Sequence, residues 1–331
     1  MKYREQLVHE PNTDHKEWNE SYYFLFGNKN KNVHLMTRMG FKPNKKEGMS
    51  FLFIFFPDGS VSGIRLTSEV FDYKILPFKV NGKYGTMIFS PLEDGTWKYQ
   101  YKGKLFSVES PKDFPMLEKN PSLIKKINTV DLELVLNPIH DTYEYSKYMT
   151  KESLEIGKKS GDMHWEQIGK VSGHIIIDNE RILLSEDDTI GERDHTHGLR
   201  DWVGIGNWLY YVVWFNEHLC VNPAAIITED GRKSVGGFIF KDGVNLPLKM
   251  INIKEEKFLD DGIIPDYSIL ELEDIKGQKY ILKAFAGSTI PIPFRNEKGE
   301  LSYLIQSVGK FELDGKPGGH GSYEVLRKLL K

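Results

Sequence analysis

Along most of the chain, apolar and polar residues alternate with a period of two, in short runs separated by turn-forming residues. That pattern belongs to half-buried β-strands rather than to helices. A first series of predicted strands covers residues 20–26, 33–39, 49–56, 61–66, 71–78, 84–90, 96–101, 104–109 and 130–137. Turn signals between them include Gly27-Asn28-Lys29-Asn30, Pro57-Asp58-Gly59-Ser60, Asp94-Gly95 and Lys102-Gly103. A second series covers 164–177, 181–185, 208–216, 224–228, 235–241, 248–253, 268–273, 278–286 and 301–313. Prolines 111, 115 and 121 exclude one long helix across 111–126 and leave a short one at 122–126. Residues 291–294 interrupt the pattern, 315–321 read as a glycine-rich loop, and 322–330 read as a terminal helix or a closing strand. The first twenty residues are polar and read as an arm or cap. No regular alternation of strands with helices occurs, which disfavours a doubly wound sheet. The predicted fold is all-β, with two tandem β-barrel or sandwich domains and few short helices. The domains are expected at 1–145 and 161–331, joined by a polar crossing segment at 146–160.

Composition sharpens this picture at a few points. The chain has 331 residues, with 19 Phe, 16 Tyr, 6 Trp and 30 Gly. Aromatics favour strands and glycines punctuate turns and bulges, so both counts reinforce the β reading. A formal net charge of -3 gives no electrostatic case for a nucleic-acid partner. Cys220 is the single cysteine, which excludes an internal disulfide and fits a reducing compartment. The first residues have no apolar core of a secretion signal, and no run reaches the ~20 apolar residues that span a bilayer. A cytoplasmic location with no transmembrane segment is therefore the expectation.

Candidate chemistry is concentrated in residues 191–202, which carry two arginines, two aspartates, a glutamate and two histidines. Asp194, His195 and His197 are metal-ligand types. In an extended segment, however, the histidines share one side and Asp194 faces the other. His164, His174, His218 and His320 could converge on them from elsewhere, but no His-Glu-x-x-His motif is present, and no metal set is assigned. Glu192, Asp194 and Asp201 are proton carriers for acid–base chemistry, provided that burial outweighs Arg193 and Arg200 in setting their pKa. The same residues could also close a barrel end as a hydrogen-bonded plug. Upstream, His164, Glu166 and Ile168 should share one strand face and form a polar patch. Gly204-Ile205-Gly206 lacks the rest of a dinucleotide motif, and Asp260-Asp261-Gly262 lacks the ligand series of a calcium loop.

Two segments carry a resemblance to a known family. The first is Gln167-Ile168-Gly169-Lys170-Val171-Ser172-Gly173. The second is Gly191-Glu192-Arg193-Asp194-His195-Thr196-His197-Gly198-Leu199-Arg200-Asp201-Trp202. Together they resemble the second-domain signature of a lipocalin-like superfamily that includes carotenoid 1,2-hydratases, AttH-like proteins and certain bacterial terpene cyclases. The usual form is Gly-x-Arg-Asp-His-Ser-Trp-Gly-x-Arg. Here Thr196 replaces the serine, and His197 replaces the tryptophan with an ionisable ring that is a poorer platform for a carbocation. Residues 22–24, 38–44 and 57–59 also resemble the opening strands.

The resemblance implies two tandem lipocalin-like domains, an apolar cavity near their junction, no cofactor, and a carboxylate acting as Brønsted acid on an alkene. Carried onto this chain, Asp194 is the acid, and His195 and Arg200 position or tune it. His164, His197, Trp202, Trp208, Tyr210 and Trp214 are the candidate substrate-binding residues. The implied activity is a cyclisation or hydration of a hydrophobic, isoprenoid-like alkene, as in a terpene cyclase or a hydratase. The alternatives are a non-catalytic binding protein for a hydrophobic small molecule, or a structural β scaffold.

Overall fold

The computed structural model describes residues 8–68, 77–92, 94–259 and 261–329. The chain divides into two compact units, one of Met1–Tyr143 with Met163–Arg200, the other of Glu144–Asp162 with Asp201–Lys331. Twelve strands form the sheet of the first unit: β1 (Trp18–Asn28), β2 (Val33–Lys42), β3 (Glu47–Phe55), β4 (Val61–Ser68), β5 (Phe78–Gly82), β6 (Gly85–Pro91), β7 (Trp97–Val108), β8 (Ile124–Pro138), β9 (Tyr143–Glu144), β10 (Met163–Ile177), β11 (Glu180–Leu184) and β12 (Thr189–Leu199). β8 pairs with both β7 and β10, so the ladder closes into the ring β10-β12-β1-β2-β3-β4-β7-β8. Alternate residues of these strands, among them Tyr22, Phe24, Phe26, Trp97, Tyr99, Leu134 and Val171, fill one apolar core.

In the second unit, the one α-helix among the described residues, α1 (Lys151–Gly157), starts where the Thr150 side chain accepts the Ser153 N–H. Then follow β13 (Asn207–Asn216), β14 (Leu219–Ile227), β15 (Lys233–Lys241), β16 (Val244–Phe258), β17 (Pro265–Asp274), β18 (Lys279–Arg295), β19 (Leu301–Leu313) and β20 (Lys316–Lys328). They form a closed antiparallel barrel in sequence order. Leu209, Tyr211, Val213, Ile305, Tyr323 and Val325 are among its core residues. The all-β fold with few short helices is thus observed.

The domain division differs from the one expected. Residues 163–200 were assigned to the C-terminal domain, yet β10 and β12 pair with β8 and β1 and belong to the first sheet. Local alternation marks a strand but does not name its partner. Most of the 191–202 segment lies in strand β12 of the first unit, between β1 and β10. Residues 96–109, expected as two strands with a turn at Lys102-Gly103, form the single strand β7. Gly103 instead permits a close approach, because a Cβ there would meet the Tyr84 carbonyl and the Gly85 backbone. The helix expected at 122–126 is a 3-10 turn at Pro121–Leu123 that leads into β8. Residues 291–294 continue β18, and the glycine-rich 315–321 lies almost wholly in β20, which also settles 322–328 as strand. Most of the strand expected at 71–78 lies outside the described residues, as do Asp260 and residues 1–7 of the arm.

Candidate functional site

β12 lies between β1 and β10, and its register fixes which side chains meet. Tyr22, Tyr23 and Phe24 of β1 stand opposite His195, Asp194 and Arg193, while Trp165 and Glu166 of β10 stand opposite His195 and Asp194. Side chains on a strand alternate, so odd and even positions of β12 serve different faces. The segment therefore builds two clusters.

On one face, His164 Nε2 lies 2.6 Å from Glu166 Oε1 and 3.2 Å from Asp194 Oδ2. The Thr196 hydroxyl donates to Asp194 Oδ1 at 2.9 Å. Glu166 is fully buried and Asp194 nearly so, whereas the His164 side chain keeps 26% of its exposure. Burial pushes the Asp194 pKa up, but His164, then Arg200 and Thr196, outweigh it, and the net shift is downward. Arg193 is not the partner of Asp194. It points to the other face, where it donates to Gln167 Oε1 at 2.8 Å and to Thr142 at 3.1 Å, above the Trp97 ring.

On that opposite face, His195 stacks on Tyr22 with ring centroids 4.1 Å apart, and its Nε2 lies 2.8 Å from Glu20 Oε1. The arm brings His9 to the same oxygen, with Nδ1 at 2.8 Å, while the His9 backbone N–H donates to Glu20 Oε2 at 3.0 Å. His197 stacks on His9 at 4.1 Å, and Trp165 stacks on the same ring at 5.7 Å. Burial would raise the Glu20 pKa, but the hydrogen bonds from His195 and His9 hold it below its ordinary value. Burial, with the charges of His9 and His195, pushes His197 down to about 4. The arm is fixed independently by Glu17, which pairs with Lys42 and Lys45, and by Asn44, which donates to the Thr13 and His15 carbonyls.

The structure thus separates residues that the signature groups together. Asp194 joins His164, Glu166 and Thr196, with Arg200 acting through its charge, while His195 and His197 join His9 and Glu20. Trp202, Trp208, Tyr210 and Trp214 belong to the second unit. The last three alternate with the core residues Leu209, Tyr211 and Val213, so they do not line the barrel interior. The Trp208 indole N–H donates to Glu324, which also accepts from Gln306; Trp202 stacks on Phe294 at 4.6 Å. Asp201 caps a turn by accepting the Gly204 N–H at 2.9 Å, a structural task. His9 and Glu20 carried no sequence signal, since the contact of Glu20 with His195 spans 175 positions.

Three solved structures resemble the chain over nearly its whole length. An AttH-like protein from Nitrosomonas europaea matches 93% of this chain and 92% of its own at 12% identity, with a TM-score of 0.60. CghA in complex with Sch210972 matches 97% and 93% at 10% identity, also with a TM-score of 0.60. Kievitone hydratase from Nectria haematococca matches 98% and 94% at 9% identity, with a TM-score of 0.56. At such identities the likeness shows the fold alone. The chain belongs to the DUF7064 family, a domain of unknown function whose family model matches residues 4–328. No curated protein sequence matches the chain significantly. No helix among the described residues is long and apolar enough to cross a membrane.

Proposed function

We propose that the protein catalyses proton-initiated hydration or cyclisation of a hydrophobic alkene, with the proton held by His164, Glu166 and Asp194. The observation that carries this reading is the part-exposed His164 imidazole bridging two buried carboxylates at 2.6 and 3.2 Å. Whichever atom bears it, a proton lies between the ring and the carboxylates. Asp194 alone is a poor donor, because its pKa is lowered; as partner to His164 it orients the ring and can receive the proton back. Tyr23, opposite Asp194 on β1, and Phe51, which packs edge-on to it, supply aromatic surface on the same face.

The steps balance on protons and water alone. The alkene π pair takes the proton and forms a C–H bond, leaving a carbocation on the neighbouring carbon. Water then adds to the cation and releases a proton to the Asp194 carboxylate, which completes a hydration. Alternatively, the π pair of a second double bond of the substrate adds to the cation and forms a C–C bond, and the new cation loses a neighbouring C–H proton to the Asp194 carboxylate to form an alkene, which completes a cyclisation. The kievitone hydratase and CghA folds support this class of chemistry, and the isoprenoid character of the substrate rests on the superfamily resemblance.

The test is incubation of wild type, His164→Gln and Asp194→Asn with a panel of polyenes and prenyl diphosphates, products being followed by mass spectrometry. Loss of at least ~100-fold in turnover for His164→Gln supports the reading; undiminished product from both variants overturns it. The lowered pKa of Asp194 favours a second reading, a carrier for hydrophobic small molecules. Saturable binding from the same panel with no turnover by wild type would establish the carrier instead.

A further inference from the structure

We propose that His9, Glu20 and His195 form a binding site for a divalent first-row transition cation of the zinc type. Their ligand atoms lie within 4.8 Å of one another and come from three separate segments: the arm, β1 and β12. His9 Nδ1 and His195 Nε2 both approach Glu20 Oε1 at 2.8 Å. Two imidazoles and one carboxylate are the donor set of many open zinc and iron sites, in which each ligand sits about 2.0–2.2 Å from the ion. Around one ion the donors would open from these 2.8 Å hydrogen-bonded separations to the wider spacing that bonds of about 2.0–2.2 Å set between neighbouring ligands. The other cluster, His164 with Glu166 and Asp194, has a single imidazole and is the poorer match.

Burial and packing prepare the donors. Glu20 and His195 are fully buried, which removes competing water, and His9 keeps 25% exposure at the open edge where an ion would enter. Ring stacking holds the imidazole planes: Tyr22 against His195, and Trp165 and His197 against His9. A buried carboxylate balanced only by N–H groups gains a full counter-charge when a cation replaces them. On binding, each neutral ring gives its ligand nitrogen to the ion and carries its proton on the other nitrogen, His9 on Nε2 and His195 on Nδ1. Three protein ligands leave a position open for water. His197 stacks on His9, and its buried Nδ1 has no hydrogen-bond partner among the described residues. The ion would thereby tie the arm to β1 and β12, independently of proton transfer at His164.

The experiment uses the full chain, stripped with a chelator and titrated with Zn²⁺ against a chromophoric competitor, with Co²⁺ as a spectroscopic stand-in. One equivalent of zinc per chain, visible d–d bands for Co²⁺, and a thermal midpoint that rises with zinc are expected for wild type. His9→Ala should weaken zinc binding by roughly tenfold or more and abolish the thermal shift. His9 lies in the arm and is part-exposed, so this variant should keep the wild-type circular dichroism. Glu20→Gln is the second variant, and His164→Ala, in the other cluster, should bind zinc as wild type does. Absence of stoichiometric binding to wild type overturns the site, as does affinity that survives His9→Ala or falls only in His164→Ala.

Discussion

Asp194 and His195 are consecutive in sequence and serve opposite faces of one strand: Asp194 Oδ2 meets His164 Nε2 at 3.2 Å, and His195 Nε2 meets Glu20 Oε1 at 2.8 Å. The signature segment therefore carries two ionisable clusters that share a backbone but no side-chain contact through this pair. Perturbing one cluster should leave the other largely unchanged.

That separation can be read from the titration of Asp194. Burial raises its pKa, while His164 is the foremost of the groups that lower it. In His164→Gln the foremost group opposing burial is gone, so the carboxyl pKa should move up. In His9→Ala, which alters the opposite face, it should stay near the wild-type value. NMR titration of the isotope-labelled carboxyl carbon measures both. Equal shifts in the two variants, or a downward shift in His164→Gln, would contradict the separation.

A second expectation concerns Arg193, which is buried and holds Gln167 and Thr142 while lying over Trp97. Arg193→Met keeps much of the apolar stem but leaves the Gln167 and Thr142 oxygens without their donors. One buried and one part-buried acceptor losing charged donors should cost about 2–4 kcal/mol in urea unfolding. The exposed Arg232, paired with Asp230 at 2.8 Å, is the control, and Arg232→Met should leave stability close to that of wild type. Similar costs at the two positions would refute the structural role of Arg193.

Gly191, the first residue of the signature, offers a third test. A Cβ there would lie 2.6 Å from Phe26, 2.7 Å from Val171 and 2.8 Å from the Leu25 carbonyl. Gly191→Ala overpacks a strand flanked on both sides, with a cost of about 1–3 kcal/mol. Gly231→Ala is the comparison, since open space surrounds that glycine and only its positive φ of 83° resists the change. A Gly191→Ala protein as stable as wild type would count against the close packing of β1, β10 and β12.

Period-two alternation made the main features of this site legible. It predicted that Asp194 would face away from His195 and His197, and that His164 and Glu166 would share a face. Both relationships follow from the geometry of an extended chain, whatever the strand pairs with. Strand partnership was not legible, so β10 and β12 were assigned to the wrong domain. The His9–Glu20–His195 cluster was also hidden, because it joins residues that no local spacing connects. Gly103 misled for a different reason: the same absent side chain that favours a turn also permits two strands to approach closely. The mixed reading of the polar centre as acid, metal site or plug reflected one unknown, namely which residue each side chain would meet.

The last expectation follows from His140, which holds Gln167 and Ile168 in place at the start of the first signature segment. Its Nε2 accepts the Ile168 N–H at 2.9 Å, its Nδ1 lies 2.6 Å from the Asp141 carbonyl, and its own carbonyl accepts from Gln167 Nε2 at 2.8 Å. An N–H donor facing Nε2 and an acceptor facing Nδ1 suit the neutral ring protonated on Nδ1. Burial is the main cause that lowers the pKa from 6.5 to about 4, and Arg193 adds to it. Between those values the unfolded chain binds a proton that the folded chain refuses. Stability from this group is therefore complete above about pH 6.5 and is lost as the pH falls towards 4. The fall from 6.5 to about 4 corresponds to at most about 3.4 kcal/mol, and solvent reaching the part-exposed ring reduces it. His140→Gln cannot titrate, so its unfolding free energy should be lower at pH 7 but should decline less between pH 7 and 4 than that of wild type. Urea unfolding at several pH values gives both curves; if they run parallel, His140 is not held neutral by the fold.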